Sequence, residues 1–333
     1  MYYIRCISIG NGYMAQHFLL SAKARTLSLG AVLRLSDAQA FETFKAIRWA
    51  DTQGEPVCPK CDSQAVYTYA ARKIFKCKAC CAQFSLTSGT IFANRKLSIR
   101  DYLAAIAIFV NGAKGISALQ LSRDLCVQYK TAFVLAHKLR EAMAAEQQGV
   151  QVGGFNRIVE VDGAFFGGTI RQENKVAERK DRRLKRHQTG LRRALVILRE
   201  REGRALPLVF KNEGDAMDMI VARVKHGSTV HADEATVWDA LHARFAMKRI
   251  NHSVAFSDDG ACTNQAESFF SRIRRSELGV HHHFSPVYLA QYAGEMAWRE
   301  DHRRTSNGEQ FKAVAKAAAA HPVSHIWSGY WQR

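Results

Sequence analysis

Two Cys-x-x-Cys knuckles, Cys58-Pro-Lys-Cys61 and Cys77-Lys-Ala-Cys80, lie fifteen residues apart and constrain this chain more than any other feature. Four thiolates at this spacing can surround one zinc ion tetrahedrally, as in a zinc ribbon. In so short a unit the metal supplies much of the folding free energy. Cys81 adjoins the second knuckle, but Cys80 keeps the two-residue spacing. The expected Zn²⁺ ligands are therefore Cys58, Cys61, Cys77 and Cys80, and unligated or redox thiols are the plain alternative. Short extended runs at Ala65–Tyr69, Ile74–Cys77 and Gln83–Leu86 complete the unit, and Lys60, Lys73, Lys76 and Lys78 ring it with positive charge suited to DNA. Cys6, Cys126 and Cys262 are ordinary isolated thiols. Cysteines spread in this way do not form a disulfide framework and suit a reducing cytoplasm.

The charge balance points to a polyanionic partner. The chain has 48 Lys and Arg against 30 Asp and Glu, a formal net charge of +18. Unpaired charge cannot be buried, so the surplus lies on the surface, where it attracts a polyanion and releases counterions. A generally basic protein is the bland alternative, but the clustering of the charges favours nucleic acid. With 47% apolar residues the chain can bury a core, and its 333 residues suggest two or three domains at roughly 100–200 residues each. No run of about 18 apolar residues exists, so no membrane span is expected. The N-terminus makes a poor secretory signal, with one Arg in its first 22 residues and an apolar stretch broken by Asn11, Gln16 and His17. Residues 1–13 look unlike the rest of the chain, and Met14 is an alternative start.

Ser36-Asp37 predicts the cap of a helix from Ala38 to Arg48. Helical patterns then run over Ser98–Asn111, Ile116–Leu125 and Tyr129–Ala145, the last two joined by a short turn. Such a pair fits a helix-turn-helix or an ordinary packing hairpin equally well. From Arg157 the pattern changes to strands at Ile158–Phe166, Arg193–Arg199 and Ala205–Lys211. A helix at Asp215–Lys225, a strand at Ser228–Ala232, a helix at Glu234–Phe245, a short segment at Met247–Ser253, and helices at Asn264–Arg275 and Ser285–Asp301 come after them. This order predicts an α/β domain with a mixed sheet. Between the first two strands, Arg171–Arg193 holds ten Lys or Arg and three Asp or Glu. Such a run is ordinarily a solvated loop, and here it can also hold a DNA backbone.

Three acids stand out against this background. Asp162 sits inside the apolar strand Val159-Glu160-Val161-Asp162, where a carboxylate is costly without a partner or a metal. Strand alternation puts Glu160 on the same face, either as a helper or paired with an Arg. Gly163, Gly167 and Gly168 would let a substrate approach the backbone closely. Asp233 ends the strand of Thr229-Val-His-Ala-Asp233, a common ligand position in α/β sheets, although it could simply cap the following helix. Glu267 lies 34 positions later, early in a helix and one turn after Asn264; its bland alternative is a first-turn acid favoured by the helix dipole. Together the three match the needs of phosphoryl transfer, in which two divalent ions ~3.5–4 Å apart share carboxylates. Hard oxygen ligands suit Mg²⁺ or Mn²⁺.

From about Met14 onward the chain resembles zinc-ribbon-bearing bacterial insertion-sequence DDE transposases of the Merlin-related, ISXO-like group. The resemblance rests on the two knuckles, Val-Glu-Val-Asp162-Gly, His-Ala-Asp233-Glu and Thr-Asn264-Gln-Ala-Glu267-Ser. Gly279-Val-His281-His282-His283 and Glu295-Met-Ala-Trp298-Arg299 add to it. It implies a multidomain α+β and α/β protein: an N-terminal helical segment at 1–50 (with 1–13 open to question), a zinc ribbon at 51–96, a helical, helix-turn-helix-like region at 97–150, a ribonuclease-H-like mixed-sheet catalytic domain at 151–310 and a C-terminal tail at 311–333. It implies metal-dependent cleavage and strand transfer of an element recognised by its terminal inverted repeats. The expected partners are double-stranded DNA, in both element ends and target, and further copies of the chain, in a cytoplasmic, nucleoid-associated setting. The group uses Asn or Glu as the third catalytic residue. Both Asn264 and Glu267 are present, and Glu267 is the better hard-cation ligand. The group often has a Lys about seven residues after that Glu, where this chain has Arg274. The residues expected on DNA phosphates are Arg182, Arg183, Lys185, Arg186, Arg272, Arg274 and Arg275. Among the three histidines, DNA contact, packing or capping is favoured over metal, and Trp238 and Trp298 read as core aromatics. The rival functions are a non-catalytic zinc-ribbon DNA-binding regulator and a ribonuclease-H-like nuclease without strand transfer.

Overall fold

The computed structural model describes residues 18–168, 172–181, 184–187, 189–251, 257 and 260–332. Residues 1–13, with the question of the start, lie outside them. Helix α1 (Leu29–Leu33) leads into α2 (Asp37–Arg48). The cap expected at Ser36 is a full capping box: its hydroxyl accepts the Gln39 N–H at 3.2 Å, and the Gln39 side chain accepts the Ser36 N–H at 2.9 Å. Two helix-end donors are thus satisfied reciprocally. Strands β1 (Val66–Tyr69), β2 (Ile74–Cys77) and β3 (Gln83–Ser85) form a small antiparallel sheet. It docks on α2 through aromatic contacts. Phe75 meets Trp49 edge-on, with centroids 5.4 Å apart, and lies 5.4 Å from Phe84.

Three helices come next, α3 (Ile99–Asn111), α4 (Ala118–Asp124) and α5 (Tyr129–Ala145). Every residue of α3 from Tyr102 to Val110 is buried, as a helix apolar on all sides must be. Helix α5 is also largely core, and Tyr129 and Lys130 in its first turn are its exposed residues. A reader of DNA in the α4–α5 hairpin would therefore have that first turn of α5 and the exposed residues of α4, Gln120 and Arg123 among them, to offer.

The second half is built on a five-stranded sheet. Its strands are β5 (Ile158–Phe166), β6 (Arg193–Glu200), β7 (Ala205–Phe210), β9 (Thr229–Asp233) and β10 (Ala246–Ile250), in the order β10-β9-β5-β6-β7; β4 (Val152–Gly153) and β8 (Val224–Lys225) pair separately. Strands β5, β6 and β7 form an antiparallel meander, while β9 runs parallel to β5 and β10 parallel to β9. This is the mixed sheet expected from the sequence. Period-two alternation divides its faces. Val159, Val161, Val196 and Leu198 face α6 (Met217–Arg223), Trp238 and Leu241. Ala164, Phe166, Leu195 and Ile197 face α7 (Asn264–Ser276) and α8 (Leu289–Asp301).

Three elements depart from expectation. Helix α6 is shorter than Asp215–Lys225, because Glu213–Ala216 is a 3₁₀ turn and Val224 leaves the helix to pair with Val152. The expected helix at Glu234–Phe245 is a run of 3₁₀ turns over Thr236–Ala243. The chain also does not end in a tail: α9 (Asn307–Ala320) is a capped helix whose Phe311, Val314, Ala315 and Ala318 enter the core built by residues 32–143.

Candidate active site and zinc unit

The β-ribbon brings the knuckles together. The Sγ atoms of Cys58, Cys61, Cys77 and Cys80 lie within 4.8 Å of one another. The Cys58–Cys80 and Cys61–Cys77 sulfurs are each 3.6 Å apart. Cys81 has a left-handed backbone, is exposed and stays out of the group. The Cys80 backbone N–H, 3.5 Å from the Cys77 sulfur, brings the Cys77 thiol down to about 6. The Cys61 thiol goes the other way: against the Ser63 backbone bond, which lowers it, the Cys80 and Cys77 sulfurs push it up to about 12, so zinc must displace its proton on binding. The unit is a zinc ribbon.

The three acids come from three elements. Asp162 lies in mid-strand on β5. Parallel pairing of Val161 with Ala232 sets Asp233 one step beyond, at the end of the neighbouring β9. Glu267 is exposed in the first turn of α7, which packs on the face of β5 that Asp162 occupies. Asn264, at the start of α7, is exposed as well. Burial raises the Asp162 carboxyl to about 7; its bond from the Gly163 N–H, at 2.7 Å, opposes this, and the charges of Asp233, Glu267 and Glu213 add to it. Asp233 also accepts the Ala235 N–H at 3.2 Å, closing a local turn. It does not cap the 3₁₀ segment, whose capping residue is Ala235. Among the described residues only the cysteines bring three or more ligand atoms within 4.8 Å of one another. The three acids do not form such a group in this structure.

Glu213 is a fourth acid, one that sequence reasoning passes over. It lies three residues beyond β7, and its carboxyl is pushed up by burial and by Asp233, with Arg192 opposing. A side chain on Gly163 would collide with the Glu213 carboxylate. The space above Gly163, expected to admit substrate, is therefore taken by this acid. Gly167, at φ +74°, is likewise closed over by Pro286. An acid shortly after a strand was the signal available, and a first-turn helix acid looks the same.

Glu160, beside Asp162, is fully buried and paired with Arg201, whose Nε donates to it at 2.9 Å. Of the arginines expected on phosphate, Arg272 is committed elsewhere. It pairs with Glu300, a largely buried acid that also meets Arg199 at 3.7 Å. Arg274 is exposed and lies over the Phe166 ring at 5.3 Å. Arg275 is exposed and bonds back to Ser271. Arg186 is exposed on the basic loop, while Arg182, Arg183 and the Lys185 side chain lie outside the described residues. The histidine run is a packing feature at His281, which lies against Phe284 and Tyr292 and is held at about 4 by burial first and then by Arg140, with Glu295 opposing. Trp238 and Trp298 are core residues. Glu295 is buried between Arg140 at 2.6 Å and Arg299 at 2.9 Å; burial alone would raise it, but the two arginines hold it at about 2.

Two family models match this chain. Residues 35–83 match the model of the transposase zinc-ribbon domain, and residues 151–301 that of the ISXO2-like transposase domain. A protein of Halobacterium salinarum, described as an uncharacterized protein in transposable element ISH50, is 22% identical over 297 residues, covering 85% of this chain and 97% of its own length. With the zinc ribbon preceding the mixed-sheet domain, the chain carries, in order, a transposase zinc-ribbon domain at 35–83 and an ISXO2-like transposase domain at 151–301.

Proposed function

We propose that this protein cuts and joins DNA strands at the ends of an insertion sequence, with Asp162, Asp233 and Glu267 as its catalytic carboxylates. The observation that carries the proposal is the convergence of β5, β9 and α7 on Asp162, whose acid form is favoured by burial and by three neighbouring acids. The donors are all hard carboxylate oxygens, which fits Mg²⁺ or Mn²⁺. When bound, a pair of such ions activates the attacking oxygen and stabilises the leaving one. Asp162 would give up its proton to ligate, and both Asp233 and Glu267 act on it electrostatically. Glu267 is the third ligand and Asn264 the alternative, since both occupy the first turn of α7.

The exposed Arg274 and Arg275 and the basic loop around Arg186 hold DNA phosphates beside the acids. The zinc ribbon and the first turn of α5 contact the terminal repeats. Water and then a DNA 3′-hydroxyl serve as nucleophiles, so no covalent enzyme intermediate forms. Joining requires two DNA ends held together, which calls for a homo-oligomer on DNA.

The test is a strand-transfer assay with purified protein, Mg²⁺ or Mn²⁺, and labelled DNA carrying the sequences that flank its gene. Cleaved ends joined to a target plasmid, and lost with Asp233→Ala, are the expected result. Cleavage without joining would make the protein a nuclease. DNA bound but never cut would make it a regulator.

A further inference from the structure

Behind the acid face lies a buried polar joint. Glu160 shares the face of β5 with Asp162, and its carboxylate accepts three N–H groups. Two are backbone donors at the start of α7, Gln265 at 2.8 Å and Ala266 at 3.1 Å; the third is Arg201 Nε at 2.9 Å. Arg201 comes from the turn between β6 and β7. Its terminal nitrogen reaches the Cys262 carbonyl at 3.3 Å and the Cys262 sulfur at 2.7 Å, and lies 3.1 Å from His231 Nδ1. The Cys262 N–H donates to the same His231 nitrogen at 3.3 Å.

The joint touches each element that carries a proposed ligand. Glu160 stands two residues before Asp162, and His231 two residues before Asp233. Gln265 and Ala266 immediately precede Glu267. A helix start presents unpaired N–H groups and a partial positive charge, which a carboxylate can satisfy. The residue preceding α7, Thr263, makes no capping bond with its side chain. Glu160 caps the helix instead, from the neighbouring strand. A carboxylate at 0% exposure is tolerated only with partners of this kind.

We propose that Glu160 and Arg201 are positioning residues: together they clamp the first turn of α7 to β5 and thereby fix Glu267 against Asp162 and Asp233 for divalent-cation binding. The clamp rests on the reading of those three carboxylates as metal ligands. Removing a group that orients a metal ligand typically weakens metal affinity about 10–100-fold.

The experiment is a Mn²⁺ titration of the full-length, zinc-loaded protein, with free ion followed by its electron paramagnetic resonance signal. Four proteins are compared: wild type, Asp162→Asn, Glu160→Gln and Arg201→Lys, each with a thermal melt. Wild type should bind Mn²⁺ saturably, and Asp162→Asn should not. Glu160→Gln should bind about 10–100-fold more weakly while still melting cooperatively. Arg201→Lys keeps a cation beside Glu160 but cannot also reach Cys262 and His231, so its affinity should fall between the two. If Glu160→Gln does not fold, the intermediate affinity of Arg201→Lys decides the matter. A folded variant with a lowered melting temperature but wild-type Mn²⁺ affinity would reduce the joint to a structural one and overturn the clamp. Equal Mn²⁺ binding by wild type and Asp162→Asn would overturn the triad itself, and the clamp with it.

Discussion

At Asp162 burial and like charge act in the same direction. The carboxyl is raised from 3.8 to about 7, by burial first and then by Asp233, Glu267 and Glu213. Between these values the folded chain holds a proton that the unfolded chain has released. Stability from this group is therefore lost as pH rises from about 4 through 7, and is level above that. For the metal-free protein, Asp162→Asn should flatten this slope and raise the melting temperature at pH 8 by at least ~2 °C. Melts of both proteins at pH 5.5 and pH 8 check the expectation, and parallel pH slopes would contradict it. Because ligation displaces the proton, Mn²⁺ affinity should fall about tenfold for each pH unit below 7. Asp162 was legible in the sequence because an acid inside Val-Glu-Val has no bland explanation. Glu213 and Arg201 were not. Their roles exist only once β6 and β7 fold back on β5, and local sequence carries no trace of a partner 41 positions away.

Among the elements, those with strong local signals were legible from sequence. The serine cap at Ser36 located α2, helical patterning located α3, and strand-like runs located β5, β6 and β7. The 3₁₀ turns at Thr236–Ala243 were not legible, because their apolar residues suit either helix and the choice is made by packing of Trp238 and Leu241 beneath the sheet. The zinc ribbon depends most on something other than its own chain. Its strands are three or four residues long, and Tyr67 and Tyr69 on β1 are exposed. Phe75 and Phe84 against Trp49 anchor it to the helical core. The purified protein should carry about one zinc per chain, and Cys61→Ser should reduce that to near zero. Loss of the metal should release the Phe75–Trp49 contact and shift the tryptophan emission to the red. Metal analysis with fluorescence measures both, and a zinc-free protein with unchanged emission would show that the ribbon folds without it.

On the scale of the whole molecule, the last helix is the element that closes the structure. Its alanine-rich run, Lys312-Ala-Val-Ala-Lys-Ala-Ala-Ala-Ala320, has too little apolar contrast to announce itself in sequence, yet α9 is held at its start and along its buried face. Near its start, Asn307 accepts the N–H groups of Thr26 and Leu27 at 2.8 and 2.9 Å and donates to the Leu27 carbonyl and to Asn111. Toward its end, Lys316 pairs with Asp51 at 3.1 Å. Helix α8, immediately before it, is a wall shared by both halves of the chain. Ala293, Met296 and Ala297 pack toward the mixed sheet, and Trp298 belongs to the core of residues 32–143. Glu295 ties the same helix to α5 through Arg140, while Arg299 donates to the Phe109 carbonyl of α3 at 2.7 Å. The zinc-binding half and the acid-bearing half therefore share side chains and should unfold together. Phe311, 6% exposed and far in sequence from the ribbon, offers the test. Phe311→Ala should cost about 3–5 kcal/mol by cavity formation. Because Cys58 and Cys77 belong to the same core cluster as Phe311, the variant should also lose zinc to a chelator faster than wild type, at equal pH and temperature. Zinc release followed with a colorimetric chelator, beside a denaturant titration, measures both effects. Lowered stability with an unchanged release rate would mean that the ribbon opens by itself, and that α9 secures only the helices beneath it.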